Sequence, residues 1–233
     1  MARKVQLTAL FFVALATTGC LRKETAHTLY LSPDGSVRWT VEESGVYSDE
    51  SDEGQRLAEE QAYIGPALIG AHRVALGFQA IAPDGLVRTS VVRDERPFHI
   101  VTDTRFFRVD RMFERLFKEA GLKAAVTLRE DGGQHRLRMR FDFTREIEER
   151  NNPAMALLEE FENFRFVLTE GRFVAGGGFD VPDRRKAVIS REWVDAVARA
   201  VAEKREIDLV LTWTVTSVEA GQLPTAKDPT PKE

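Results

Sequence analysis

The chain has 233 residues, of which 43% are hydrophobic and 30% are charged, and its formal net charge is −4 at pH 7. This composition excludes a wholly disordered chain, because enough apolar side chain is present to fill a core. The acidic balance argues against a nucleic-acid-binding protein, which needs a basic face. The single cysteine excludes an intramolecular disulfide, and the length fits one large domain or two small ones.

The first twenty residues predict an export signal. Arg3 and Lys4 precede an uninterrupted apolar segment, residues 9–16, and small residues follow up to Cys20. This apolar segment is too short to span a bilayer, which takes about 20 residues. The arrangement resembles the signal of bacterial lipoproteins, in which a box of small residues precedes an invariant cysteine. Thr17 stands where that family usually has leucine.

The resemblance implies cleavage between Gly19 and Cys20 and attachment of a diacylglycerol to the Cys20 sulfur. Two or three acyl chains then hold the protein stably on a membrane, where one chain would be marginal. An ordinary secretory signal is the alternative, but it would leave Cys20 unpaired in an oxidising compartment. Leu21 follows the cysteine, and the family's sorting rule then implies the periplasmic face of the outer membrane.

The chain divides into four predicted regions. Residues 1–19 form the signal peptide, and residues 20–25 form the lipidated cysteine and a short tether. Residues 26–218 form a single domain, and residues 219–233, rich in Pro, Thr and Lys, form a disordered tail.

Alternating apolar and polar residues predict strands with one buried and one wet face, which is typical of antiparallel sheets. The clearest lie at residues 37–42, 135–143, 164–168 and 207–216. Asp-Gly pairs predict hairpins at residues 34–35, 84–85 and 131–132. Residues 31–41 and 81–91 match at six of eleven positions, through either an old duplication or shared turn chemistry.

Amphipathic helices interleave with these strands. They are predicted at residues 109–120, after the cap Asn152-Pro153, after the cap Ser190, and from Asp52 to about Gly65, where Pro66 interrupts the helix. The predicted fold class is therefore α+β: an antiparallel β-sheet built from hairpins, with the helices packed on one face.

No catalytic motif is found, and no cofactor or metal ion is predicted. The histidines lie far apart in sequence and form no short zinc pattern; they are His27, His72, His99 and His135. The glycine run 176–178 indicates a bulge or bend between strand segments. The acidic residues between Asp49 and Glu53 fit a helix start better than a Ca²⁺ site.

Three arginines, Arg136, Arg138 and Arg140, project from one face of a single predicted strand. Like charges on one face repel unless something neutralises them. Acidic residues on a neighbouring strand would do so. The alternative is contact with a lipid phosphate or another anionic partner, and the three arginines are the candidate anion contacts.

We therefore expect a membrane-anchored envelope lipoprotein that acts as a non-enzymatic binding or structural module, with an envelope protein or the cell wall as partner. A tight cluster of buried polar side chains in a cleft would count against this hypothesis. The alternative is a periplasmic carrier or sensor of an apolar or lipid ligand, which needs an apolar cavity on the order of several hundred Å³. A third hypothesis is a hydrolase with dispersed carboxylates, because paired acid catalysis leaves no short motif. The mature domain is similar to uncharacterised bacterial lipoproteins, which implies no activity.

Overall fold

The computed structural model describes residues 21–82, 85–144 and 153–215, with only the backbone of residues 153 and 154. The predicted signal, Cys20, the cap Asn152 and the predicted tail lie outside the described residues. No helix among the described residues is long and apolar enough to cross a membrane.

The described residues form eleven strands in two sheets. The larger sheet has the spatial order β3 (Arg88–Arg93), β4 (Phe98–Phe106), β2 (Val37–Ser48), β1 (Leu21–Leu31), β7 (Phe164–Leu168), β10 (Lys186–Ile189) and β9 (Phe179–Asp183). The smaller sheet has the order β5 (Ala124–Asp131), β6 (Gln134–Asp142), β11 (Glu206–Thr214) and β8 (Arg172–Val174). Among these strands only β1 and β7 pair in parallel. The predicted α+β class is confirmed, but the prediction of one sheet is wrong, because the strands form two.

Five α-helices connect the described strands. They are α1 (Glu53–Leu68), α2 (Arg73–Ile81), α3 (Val109–Glu119), α4 (Pro153–Glu160), which continues into a 3₁₀ turn at Phe161–Asn163, and α5 (Arg191–Ala202). Ser190 caps α5 by accepting a hydrogen bond from the Trp193 amide, as predicted. Asp52 caps α1 in the same way. The predicted end of α1 at about Gly65, with Pro66 as the interruption, is wrong: Pro66 lies inside the last turn and the helix ends at Leu68. The φ to which proline is restricted is compatible with a helix.

Strand β1 begins at Leu21, so the predicted tether of residues 21–25 is in fact part of the larger sheet. Leu21 lies opposite Ser48 of β2, and Thr25 lies opposite Glu43. The side chain of Lys23 is only 12% exposed and contacts Glu43. A charged residue on the inner face hides the apolar alternation that would otherwise mark a strand.

Two of the three predicted hairpins are confirmed. The turn at residues 34–35 joins β1 to β2, and the turn at residues 131–132 joins β5 to β6. The third prediction, at residues 84–85, is wrong, because helix α2 precedes this position and strand β3 follows it. Residues 31–41 and 81–91 therefore differ in structure, which favours shared turn chemistry over duplication.

One hydrophobic core joins both sheets and helices α2 to α5, while Ile64 and Ala67 of α1 pack with Ile100 of β4 in a smaller second cluster. Phe117 of α3 lies at the centre of the larger core, with ring centroids 5.2 Å from Phe141 of β6 and 5.8 Å from Phe161. Phe161 stacks on Phe164 of β7 at 4.9 Å. These four rings are at most 1% exposed. Aromatic side chains thus fill the space between the described strands where the apolar-carrier hypothesis would need a cavity.

Candidate functional site

An open cleft of about 490 Å³ lies on the outer face of the smaller sheet. Side chains of β5, β6 and β11 form its floor because they alternate with residues that enter the core: Leu137 and Met139 of β6 and Leu209 and Leu211 of β11 are fully buried. The lining residues are Thr127, Arg129, Gln134, Arg136, Arg138, Val174, Ala175, Gly176, Gly177, Asp208, Val210 and Thr212.

Asp208 of β11 neutralises Arg138. The Arg138 Nε donates to Asp208 Oδ1 at 3.0 Å, and its Nη2 donates to Oδ2, so the pair is bidentate. The same Oδ1 accepts a hydrogen bond from Arg140 Nε at 3.1 Å. These hydrogen bonds, that of Arg138 foremost, lower the pKa of the Asp208 carboxyl below its ordinary value. The structure places Arg140 outside the cleft lining, beside Glu206.

Arg129 and Arg136 lie directly opposite each other on β5 and β6. Both residues are exposed, and among the described residues neither forms an ion pair. Among the described residues that line the cleft, Asp208 is the only acidic one, against three arginines, so these residues carry two positive charges in excess. Opposed like charges destabilise a sheet, and a bound anion would remove that cost.

The glycine run closes one side of the cleft. Gly177 has a φ of +66°, and a Cβ at this position would overlap the carbonyl oxygen of Val210. The Val210 amide donates to the Gly177 carbonyl at 2.7 Å. The run leads from β8 in the smaller sheet to β9 in the larger one, so the predicted bend is a crossing between sheets. Glycine here lets the loop backbone lie against β11.

A second polar cluster is buried between the larger sheet and helices α1 and α2. The side chain of Glu43 is 2% exposed, and its Oε1 accepts hydrogen bonds from Tyr63 at 2.7 Å and Arg73 at 3.1 Å, and from Lys23. Its Oε2 lies 3.4 Å from Nε2 of His72, and neither atom has a hydrogen-bond partner among the described residues. We call these five residues the Glu43 cluster.

Burial sets the electrostatics of the Glu43 cluster. It raises the pKa of the Glu43 carboxyl and lowers the pKa of the His72 imidazole. Burial also raises the pKa of the Tyr63 hydroxyl, and the neighbouring Glu43 raises it further. Tyr63 is therefore held neutral, as a hydrogen-bond donor to the carboxylate.

The Glu43 cluster was not predicted, although one signal points to it. Val37, Trp39 and Val41 alternate on the buried face of β2, and the same period places Glu43 on that face. None of the five residues lines the cleft or a smaller cavity of about 250 Å³ near Phe107. Because its residues come from β1, β2, α1 and the start of α2, we assign the Glu43 cluster to the attachment of α1 and α2 to the sheet.

The structure does not bring the four histidines together. His27 lies 3.5 Å from Glu160, His99 lies 3.6 Å from Glu42, and His135 stacks on Trp213. Among the described residues no three metal-ligating side chains of His, Cys, Asp or Glu form a group.

No protein-family model matches the sequence, and no curated protein matches it. Among solved structures, the NMR structure of the folded domain of LppM from Mycobacterium tuberculosis is similar, with a TM-score of 0.36 and 11% sequence identity. The likeness covers 87% of this chain and 95% of that one. At this identity and TM-score it establishes neither a shared fold nor a shared function.

Proposed function

We propose that this protein is a membrane-anchored lipoprotein of the bacterial envelope whose folded domain binds an anionic group without catalysis. The pattern of residues 1–20 supports anchoring through Cys20, and Leu21 after the cysteine supports the periplasmic face of the outer membrane. The cleft on the smaller sheet supports binding. Its partner is an anionic component of the envelope and not a nucleic acid, given the net negative charge of the chain.

The binding role rests on one observation: Arg129 and Arg136 face each other in the cleft, and no carboxylate from the part of the chain that the structure describes lies between them. Elsewhere on the same strand the protein neutralises its arginines, since Asp208 serves both Arg138 and Arg140. Arg129 and Arg136 lack the counter-charge that Arg138 and Arg140 have. We take this as the position where a ligand supplies the negative charge.

Anchoring is tested by expressing the full chain with Cys20→Ser and separating membrane from soluble fractions. We expect the unchanged protein in the membrane fraction with the added mass of a diacylglycerol, and the variant without that mass. Thr17→Leu, which restores the residue usual in lipoprotein signals, is the control and should still be lipidated. Equal masses of the unchanged protein and the Cys20→Ser variant would refute the anchor.

Anion binding is tested by calorimetry on the full chain purified in detergent, with inorganic phosphate, sulfate and acetate as probes. We expect binding that weakens as salt is raised and that is lost in Arg136→Gln. Arg165→Gln is the matched control, because Arg165 is an exposed arginine on β7 of the other sheet. The binding role fails if no probe binds or if both variants behave alike.

A further inference from the structure

We infer that the cleft recognises a phosphate monoester carried on a hydroxyl-bearing group. This inference rests on the proposed function and names the chemical class of its ligand. Three features of the cleft lead to it: the excess charge, the placement of the two free guanidinium groups and the polarity of the remaining walls.

The excess charge calls for two negative charges on the ligand. Asp208 cancels one of the three arginines that line the cleft, and guanidinium groups do not lose their protons in proteins. A carboxylate or a phosphodiester carries one negative charge and would leave one arginine uncompensated. A phosphate monoester carries two once the pH exceeds its second pKa, which is about 6.

The register allows both guanidinium groups to reach one tetrahedral group. Arg129 and Arg136 are directly opposed across an antiparallel pair, which places their Cα atoms about 4.5–5.5 Å apart. Each guanidinium presents parallel N–H groups that match two oxygens of a phosphate. Arg138 cannot turn towards the same ligand without giving up its bidentate pair with Asp208.

The rest of the cleft suits a polyol better than an acyl chain. A volume of about 490 Å³ leaves room beyond a phosphate group. That room is bordered by the hydroxyls of Thr127 and Thr212 and the amide of Gln134, and the large apolar side chains of the lining are Val174 and Val210. Such a ligand has two sources: a soluble sugar phosphate, or a lipid whose headgroup ends in a phosphate monoester.

The test is calorimetry on the full chain in detergent with four probes. They are glucose 6-phosphate, dihexanoyl phosphatidic acid, the diester dimethyl phosphate, and inorganic sulfate. At pH 7.5 we expect at least one of the two monoesters to bind tenfold or more tightly than the diester. Tighter binding of the sugar phosphate indicates the soluble source, and tighter binding of the phosphatidic acid indicates the lipid source.

The pH dependence provides a second readout. Between pH 7.5 and 5.0 we expect monoester affinity to fall at least fivefold, because the ligand takes up a proton, while sulfate affinity stays unchanged. Among the described residues, the charged groups inside the lining are the three arginines, which keep their charge, and Asp208, whose pKa is lowered. Asp131 opposite Gln134, Arg172 opposite Thr214 and Glu206 beside Arg140 share the face but lie outside the lining, and sulfate, which keeps its charge, reports any change that they cause. Equal falls for monoester and sulfate would overturn the inference.

Variants separate this inference from the proposed function. Arg129→Gln and Arg136→Gln should each lower monoester affinity at least tenfold, while their circular dichroism matches that of Arg165→Gln. If these variants lose the diester and the monoester to the same extent, and the unchanged protein binds both equally, the anion-binding role stands and the monoester class is wrong. If no probe binds, the binding role itself is wrong.

Discussion

At Glu43 of β2 a single buried carboxylate pairs with Lys23 of the neighbouring strand β1 and with Arg73 of helix α2. Glu43→Gln keeps the shape of the side chain but removes the negative charge that Lys23 and Arg73 share. We expect the free energy of unfolding to fall by about 3–5 kcal/mol, measured by urea denaturation. Glu42→Gln is the control on the same strand, because its side chain is 50% exposed, and it should change stability by less than about 0.5 kcal/mol. Equal effects would show that the cluster does not hold the helices.

His72 makes the free energy of unfolding depend on pH, at pH values below the ordinary pKa of a histidine side chain. Because burial lowers its folded-state pKa, the unfolded chain binds a proton before the folded one does, and stability falls as the pH drops below about 6.5. The raised pKa of Glu43 acts in the opposite sense, since its folded state takes up a proton first. We expect His72→Gln to lose less stability than the unchanged protein between pH 7.5 and 5.5, in urea denaturation at the two pH values. An equal or larger loss would contradict a buried neutral imidazole.

At the scale of elements, alanine substitutions at Gly176 and Gly177, in the loop between β8 and β9, should have different effects on stability. Gly176 and Gly177 both have positive φ, but a Cβ on Gly176 would meet no atom within 4 Å, whereas one on Gly177 would overlap Val210. Gly176→Ala should cost only backbone strain, about 1–3 kcal/mol. Gly177→Ala should cost more and should also weaken anion binding, because the loop is pushed off β11. Thermal denaturation and calorimetry of both variants check this, and a milder effect of Gly177→Ala would contradict it.

Several elements could be predicted from the sequence because their pattern is local. The alternation in β2, β6, β7 and β11 and the cap at Ser190 are examples. Helix α2 was missed, and β1 was mistaken for a tether at its start because Lys23 occupies an inward position. The split into two sheets depends on pairings between distant segments, such as β1 with β7, which no local pattern reveals.

The candidate site was predictable in part for the same reason. The shared face of Arg136, Arg138 and Arg140 follows from a single strand. Which of the three arginines has a carboxylate partner does not follow from that strand, because it depends on which residues of β5 and β11 lie opposite. Register places Arg129 opposite Arg136 and Asp208 opposite Arg140, and the Asp208 carboxylate also reaches Arg138 diagonally. Arg138 lines the cleft and Arg140 does not.

At the scale of the whole molecule, the shared core predicts that the two sheets unfold together. Hydrogen exchange should give the same unfolding free energy for protected amides of β2 and of β6. Phe117→Ala removes a ring at the centre of this core and should lower both values by about 3–5 kcal/mol. Leu68→Ala is the control, because Leu68 is 69% exposed, and should leave both nearly unchanged. A loss of protection confined to β6 would mean that the sheets unfold separately.

Strand β1 also determines how the molecule responds to mechanical load. If the chain is anchored at Cys20, a pull on the domain enters at the start of β1 and acts along that strand. Residues 27–31 are hydrogen-bonded on both sides, to β2 in the antiparallel sense and to β7 in the parallel sense. Extraction must therefore shear two ladders at once rather than unzip one bond at a time. In single-molecule stretching from residue 21, we expect a single high-force rupture and not a gradual lengthening.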